Sequence, residues 1–266
     1  MLKNTRNLLA IMARLRHPET GCAWDVKQDF TSLMPYVIEE AYEVADAIER
    51  NDPDDLRSEL GDLLLQVVFH SRIAEELGLF DFEEVSGAIC EKLIHRHPQV
   101  FSDTVFNSDE ERHRAWEQAK ALERQRKNKT VEQDSVLAGV AGNLPALMEC
   151  EKIQDRAANY GFDWSEVLPV FDKVREEMEE VREAWESGDQ AHIKEEIGDL
   201  LLVVVNLARH LKVNPEIALK ESTKKFSRRF QYVERQARAS DRDLRDCDLA
   251  ELDAFWNAAK KALMKR

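Results

Sequence analysis

The chain has 266 residues, a net charge of −14, 34% charged side chains, nine Gly and seven Pro. That length allows one large domain or two ordinary ones, each with a true core. So acidic a surface excludes non-specific binding to nucleic acid over the whole protein, and no apolar run reaches membrane-spanning length. Scarce glycine and proline, little period-two alternation and many helix-forming charges predict an all-α fold. In chain order, "MLKNTRNLLAIMARLR" is an amphipathic helix, with charges too interspersed for a signal peptide. The loop "GCAWD" (21–25) follows. Ala41, Val44, Ala45 and Ile48 mark the apolar stripe of the next helix, and "NDPDD" (51–55) ends it. Leu60, Leu63, Leu64, Val67 and Val68 mark a second stripe, so the two helices are antiparallel neighbours joined by a short connection.

The chain then repeats itself. "EEAYEVADAIERNDPDDLRSELGDLLLQVVFHSR" (39–72) aligns without a gap on "EEMEEVREAWESGDQAHIKEEIGDLLLVVVNLAR" (176–209), with 16 of 34 positions identical. "GCAWD" resembles "GFDW" (161–164), Lys92 and Arg96 echo Lys225 and Arg229, and "WEQAK" (116–120) echoes "WNAAK" (256–260). A period this long indicates domain duplication rather than a solenoid. We expect a first domain over 1–120, a linker over 121–145 and a second domain over 146–266. Cys22, Cys90, Cys150 and Cys247 form no CxxC pair and read as reduced thiols of a cytoplasmic protein.

Four acids recur with the repeat. Glu40, Glu43, Glu59 and Asp62 fall on Glu177, Glu180, Glu196 and Asp199. Helix residues three apart point roughly the same way, and each pair borders an apolar stripe, so both pairs lean toward the seam of their hairpin. Carboxylates gathered there repel one another. Raised pKa values, basic partners or a divalent cation would compensate. An all-carboxylate set without His or Cys favours a hard ion, Mg²⁺ or Mn²⁺. One ExxE pattern in a chain with 52 acidic residues is usually a solvated helix face, and it is the duplicated spacing that favours metal.

"EExxE" followed at fixed distance by "ExxD" within "E-[LI]-G-D-L-L-L" resembles the MazG family of nucleoside triphosphate pyrophosphohydrolases. "GCAWD", "RHPQVF" and "NLPALM…KIQ…GFDW" extend the likeness over nearly the whole chain. The resemblance implies a four-helix-type fold in each half, a homodimer, and Mg²⁺-dependent cleavage of nucleoside triphosphates to monophosphate and pyrophosphate. It also implies that Glu177, Glu180, Glu196 and Asp199, with their first-half equivalents, hold the metal.

Other residues divide between a functional and a plain role. Glu176 either orients or deprotonates the attacking water or is a surface glutamate. Lys225 and Arg229, four apart in "KKFSRRF", either clamp phosphates or pair with nearby acids, and the resemblance favours the nucleotide. Lys173 precedes Glu177 by one turn and is placed to reach the same phosphates. In the last helix Trp256 either stacks on a base or fills the core, one turn from Lys260. In the first half Lys173 is replaced by Tyr36, and the helix matching "KKFSRRF" is cut by Pro98. The main site is therefore expected in the second half, with the first slower, narrower or structural. The histidines read as solvated or capping groups. Two other functions compete: a helical nucleotide-binding or interaction protein without catalysis, and a carboxylate di-iron bundle, for which only Glu110–His113 fits the ExxH pattern.

Overall fold

The computed structural model describes residues 3–127 and 135–263. Part of the expected linker, 128–134, lies outside the described residues, as does the side chain of His113 in the ExxH pattern. Every regular element among the described residues is helical. The chain divides into two compact units, Met1–Ala121 and Leu122–Arg266.

The first unit begins with α1 (Lys3–Leu15), followed by a loop containing one 3-10 turn (Asp25–Lys27). Then come α2 (Phe30–Arg50), α3 (Pro53–Glu76), α4 (Phe82–Arg96), the short α5 (Pro98–Phe101) and α6 (Asp109–Lys127). Helix α6 continues beyond Ala121 into the stretch expected to be linker. Asp29 and Ser32 form a reciprocal capping box that starts α2. Its end is set by Asn51, which adopts the left-handed conformation at φ 53°. Asp52 then caps α3 through the Asp55 amide, and Pro53 occupies the first helical position, where it costs no hydrogen bond. Two residues thus reverse the chain, and α2 and α3 pack along their lengths as expected.

The core of this unit is Met12 from α1, Leu33 from α2, and Val68, Phe69 and Ile73 from α3. Arg16 is buried beside it. Its guanidinium meets Glu76 at 2.7 Å, donates to the Asp25 and Gln28 carbonyls, and lies over the Phe69 ring. One side chain therefore ties the "GCAWD" loop to α1 and α3. Gly21 is needed in that loop because a Cβ there would collide with the Leu15 and His17 carbonyls.

The second unit contains α7 (Ala146–Ala158), α8 (Val167–Ser187), α9 (Gln190–His210), α10 (Pro215–Ala239) and α11 (Leu249–Leu263), with a 3-10 turn at Leu244–Asp246. Gly188 at φ 72° ends α8, and Asp189 caps α9 through the Ala191 amide. This is again a two-residue reversal, built from different residues. Helix α9 packs on α8 and α7, and α10 on α11, α7 and α9. Val170, Ala184, Val203, Val205, Val233, Ala237 and Ala259 are buried. Here the "GFDW" loop is tied down by its own acid. Asp163 accepts from Arg209 at 2.5 Å and from His210 at 3.0 Å. Arg156 of α7 donates to the Leu137, Ala138 and Gly139 carbonyls, which docks the end of the expected linker on this unit.

The apolar stripes are not all covered. Ile48, Leu60 and Leu64 in the first unit, and Met178, Trp185, Leu201 and Leu202 in the second, remain exposed.

Candidate active site

In the second unit the hairpin brings α8 and α9 together so that Glu177, Glu196 and Asp199 converge. Each offers a carboxylate oxygen within 4.8 Å of the others. Glu177 is buried, Glu196 half-buried and Asp199 exposed, so the group sits at the edge of the seam and opens outward. Glu180, the fourth expected acid, is outside this tightest group but feels it. Its pKa is raised by burial first and then by the Glu177 and Glu196 charges, against the pull of Lys173.

Lys173 lies one turn before Glu177, as its spacing predicts, and its Nζ is 2.7 Å from Glu176 and 2.8 Å from Glu177. Glu176 first and Glu177 second hold the ammonium well above the usual lysine range. A basic partner therefore offsets part of the carboxylate repulsion, and Glu176 is placed beside the acids through it. His192, expected with the other histidines to be a solvated or capping group, lies on α9 one turn before Glu196, with Nε2 3.1 Å from its carboxylate. The available signal was its position four residues before a repeated acid.

The first unit repeats the arrangement. Glu40, Glu43 and Glu59 offer oxygens within 4.8 Å of one another. Glu40 has its pKa raised by burial first, then by the Asp62 and Glu43 charges; Glu59 by burial, then by Glu43 and Asp55. Asp62 thus acts on the group from just outside it. The surroundings differ: Tyr36 stands where α8 has Lys173, and Asp55 stands where α9 has His192. Arg50 engages Asp55 along with Asp46 and Asp52. Its charge is spent at the hairpin turn.

Of the expected nucleotide-binding residues, Arg229 and Trp256 meet, with the guanidinium 5.8 Å from the indole centroid. Phe226 lies 5.0 Å from the same indole and stacks on Phe230. Trp256 is half-buried on α11, neither sealed in the core nor free of it. Lys225 is exposed, and neither it nor Lys260 makes an ion pair among the described residues. Their charges are available to an anionic ligand. Within the second unit the carboxylates lie on α8 and α9, the cations and aromatics on α10 and α11, and α10 touches α9. No hydrogen bond or ion pair among the described residues joins Lys225, Arg229, Trp256 or Lys260 to the four acids.

Both donor sets consist of oxygen alone and gather more negative charge than nearby cations neutralise. That suits a hard divalent cation. No helix among the described residues is long and apolar enough to cross a membrane.

The MazG nucleotide pyrophosphohydrolase domain model matches residues 28–101 and again 166–234, so each match contains one hairpin with its four acids. The chain is 50% identical over 256 residues to the nucleoside triphosphate pyrophosphohydrolase of Escherichia coli strain K12, covering 96% of each. It is 42% identical to the nucleoside triphosphate pyrophosphohydrolase/pyrophosphatase MazG of Thermotoga maritima, covering 95% of this chain and 94% of that one. A solved MazG-related protein from Thermotoga maritima is 31% identical over 44% of this chain and 98% of its own, with a TM-score of 0.38, too low to bear on the fold. Two domain matches and near full-length relatives establish that the chain belongs to the MazG nucleotide pyrophosphohydrolase family.

Proposed function

We propose that the chain hydrolyses nucleoside triphosphates to nucleoside monophosphate and pyrophosphate, with Mg²⁺ (or Mn²⁺) held in the second half by Glu177, Glu180, Glu196 and Asp199. The observation that carries this reading is the convergence of Glu177, Glu196 and Asp199 across one hairpin, with Lys173 on Glu177. When bound, the metal would supply Lewis-acid stabilisation of the charge that develops on the phosphate oxygens. Lys173, whose ammonium contacts Glu176 and Glu177, would also serve the phosphates of a bound triphosphate. Glu176, beside Lys173, would orient the attacking water or take its proton. Lys225, Arg229 and Lys260 hold the triphosphate, and Trp256 meets the base beside Phe226.

The first-half acids, Glu40, Glu43, Glu59 and Asp62, would hold a metal in the same way but with fewer cations for a triphosphate. Homodimerisation is supported by the exposed apolar side chains of both hairpins, among them Trp185 at 69% and Ile48 at 56% exposure. A place in the cytoplasm is supported by four unpaired cysteines, two of them exposed. The net charge argues against non-specific nucleic-acid binding.

The test is the identity of the products. ATP incubated with the chain and Mg²⁺ should yield AMP and pyrophosphate together. Accumulation of ADP and orthophosphate would place the chemistry at the γ-phosphate and overturn the reading, and no pyrophosphate from any of a panel of NTPs and dNTPs would leave a binding protein without catalysis.

A further inference from the structure

The first hairpin carries, one helical turn from its acids, Tyr36 and Gln66 where the second has Lys173 and Val203, and beside them lies Trp24 of the preceding loop, which the repeat matches with Trp164. Trp24 stands edge-on to Tyr36 of α2, with ring centroids 6.0 Å apart, and to Phe69 of α3 at 6.4 Å. Both rings of the first pair keep an open face, Trp24 at 50% and Tyr36 at 38% exposure. Gln66 of α3 is only 7% exposed, and its buried Oε1 has no hydrogen-bond partner.

Helical spacing puts Gln66 in line with the acids, because Glu59, Asp62 and Gln66 follow one another turn by turn on one face of α3. The hairpin register says what lies opposite. Across the seam Glu59 offers a carboxylate oxygen within 4.8 Å of Glu43, and the Asp62 charge acts on Glu40. The next turn away from the connection therefore sets Gln66 against Tyr36, where Trp24 already bridges α2 to α3. A buried amide without a partner lowers stability, so its presence asks for a reason. The fold does not demand it, since the matching position in the second hairpin is Val203, also buried. Tyr36 and Phe69 are likewise Lys173 and Asn206 there.

We propose that the first hairpin is a nucleobase-recognising site for a nucleoside monophosphate, with the base against Trp24 and Tyr36, its edge on the Gln66 amide, and a metal on Glu40, Glu43, Glu59 and Asp62 joining the single phosphate. An amide both donates and accepts, which matches the paired donor and acceptor of a base edge. Aromatic faces hold any base. Loss of the Lys173 equivalent and gain of Asp55 disfavour a triphosphate, which needs more positive charge than this hairpin supplies. The inference rests on the reading that the duplicated acids bind metal and nucleotide, and makes the two halves differ in ligand rather than only in rate.

The test is calorimetric titration of the full chain with AMP in Mg²⁺, beside ribose 5-phosphate as the base-free probe. Gln66→Val and Tyr36→Lys each install the second hairpin's own residue, so packing is retained, and circular dichroism checks it. Trp24→Leu removes the stacking face. We expect AMP to fill a class of sites that Glu40→Gln abolishes and that Gln66→Val and Trp24→Leu weaken by about tenfold. Ribose 5-phosphate should bind that class at least about tenfold more weakly than AMP. Pyrophosphate release from ATP should persist in Gln66→Val, Tyr36→Lys and Trp24→Leu. The inference is overturned if AMP binding is unchanged in Gln66→Val and Trp24→Leu, or if ribose 5-phosphate binds that class as tightly as AMP. The pyrophosphohydrolase reading fails on a different measurement, the absence of pyrophosphate from ATP with the wild-type chain.

Discussion

The α2–α3 and α8–α9 hairpins share a two-residue reversal, a leucine stripe and four acids in register, yet they surround those acids differently. Around Glu177 the neighbours are basic or titratable: Lys173 contacts it and His192 contacts Glu196. In the first hairpin Tyr36 and Gln66 stand at the positions of Lys173 and Val203, and Arg50 is engaged at the turn by Asp46, Asp52 and Asp55. On the proposed reading the duplicated acids set where a metal would fit, whereas the unduplicated neighbours set what else would be held there. Triphosphate needs cations, so we assign ATP to the second hairpin.

The largest expected effect concerns what the hairpins share. Removing divalent metal with EDTA should abolish turnover, and Mg²⁺ or Mn²⁺ should restore it; full activity in metal-free buffer would remove the reason for both acid sets. The next concerns what separates them. Lys173→Tyr gives the second hairpin the first one's residue and should lower kcat/KM for ATP by about tenfold or more, measured by pyrophosphate release. An unchanged rate would mean that Lys173 serves only to neutralise Glu177.

Smaller effects test the two loop clasps. Arg16→Ala leaves Glu76 facing Arg72 alone and frees the Asp25 and Gln28 carbonyls. It should cost about 3 kcal/mol in urea unfolding, while ATP turnover in the second unit persists. Acid should act on both clasps in the same direction. For Glu76, burial pushes the pKa up but Arg16 and Arg72 outweigh it; for Asp163, burial is outweighed by Arg209 and His210, so both are held below their ordinary values of 4.5 and 3.8. A carboxylate depressed in the folded state lends stability that is present above its unfolded pKa and lost as pH falls toward the folded one. The melting temperature should therefore drop as pH falls below about 4.5, and Glu76→Gln should flatten that drop. An equal slope in wild type and variant would show that the clasp does not report on Glu76.

Much of this was legible in the sequence because it follows from periodicity. Stripes at helical spacing, "NDP" and "SGD" at the turns, and acids three apart mark the hairpins and their converging carboxylates. Lys173 was legible for the same reason, lying one turn from Glu177. What periodicity does not report is contact between distant elements. Nothing in "GCAWD" shows that Arg16 and Gly21 fold that loop back, or that its Trp24 bridges Tyr36 and Phe69. Gln66 was hidden differently: as one polar residue inside "LLLQVV" it reads as an interruption, and only its burial shows an unpartnered amide beside the acids. His192 and Glu196 satisfy the same spacing, but the first half has Asp55 in place of His192, so the repeat does not single the histidine out. Packing between α10 and α11, which brings Arg229 to Trp256, joins helices whose sequences carry no mark of each other.

The most direct test of the central claim uses the repeat against itself. Glu177→Gln and Glu40→Gln are the same substitution at matched positions of the two hairpins, and each removes one carboxylate charge without changing shape. Pyrophosphate release from ATP is measured for both in Mg²⁺, with helical circular dichroism as the check on folding. Glu177→Gln should lower the rate by about 10²-fold or more and Glu40→Gln should leave it within about twofold of wild type. If Glu40→Gln instead proves the more damaging, with its helical content intact, the assignment of ATP hydrolysis to the second hairpin is wrong.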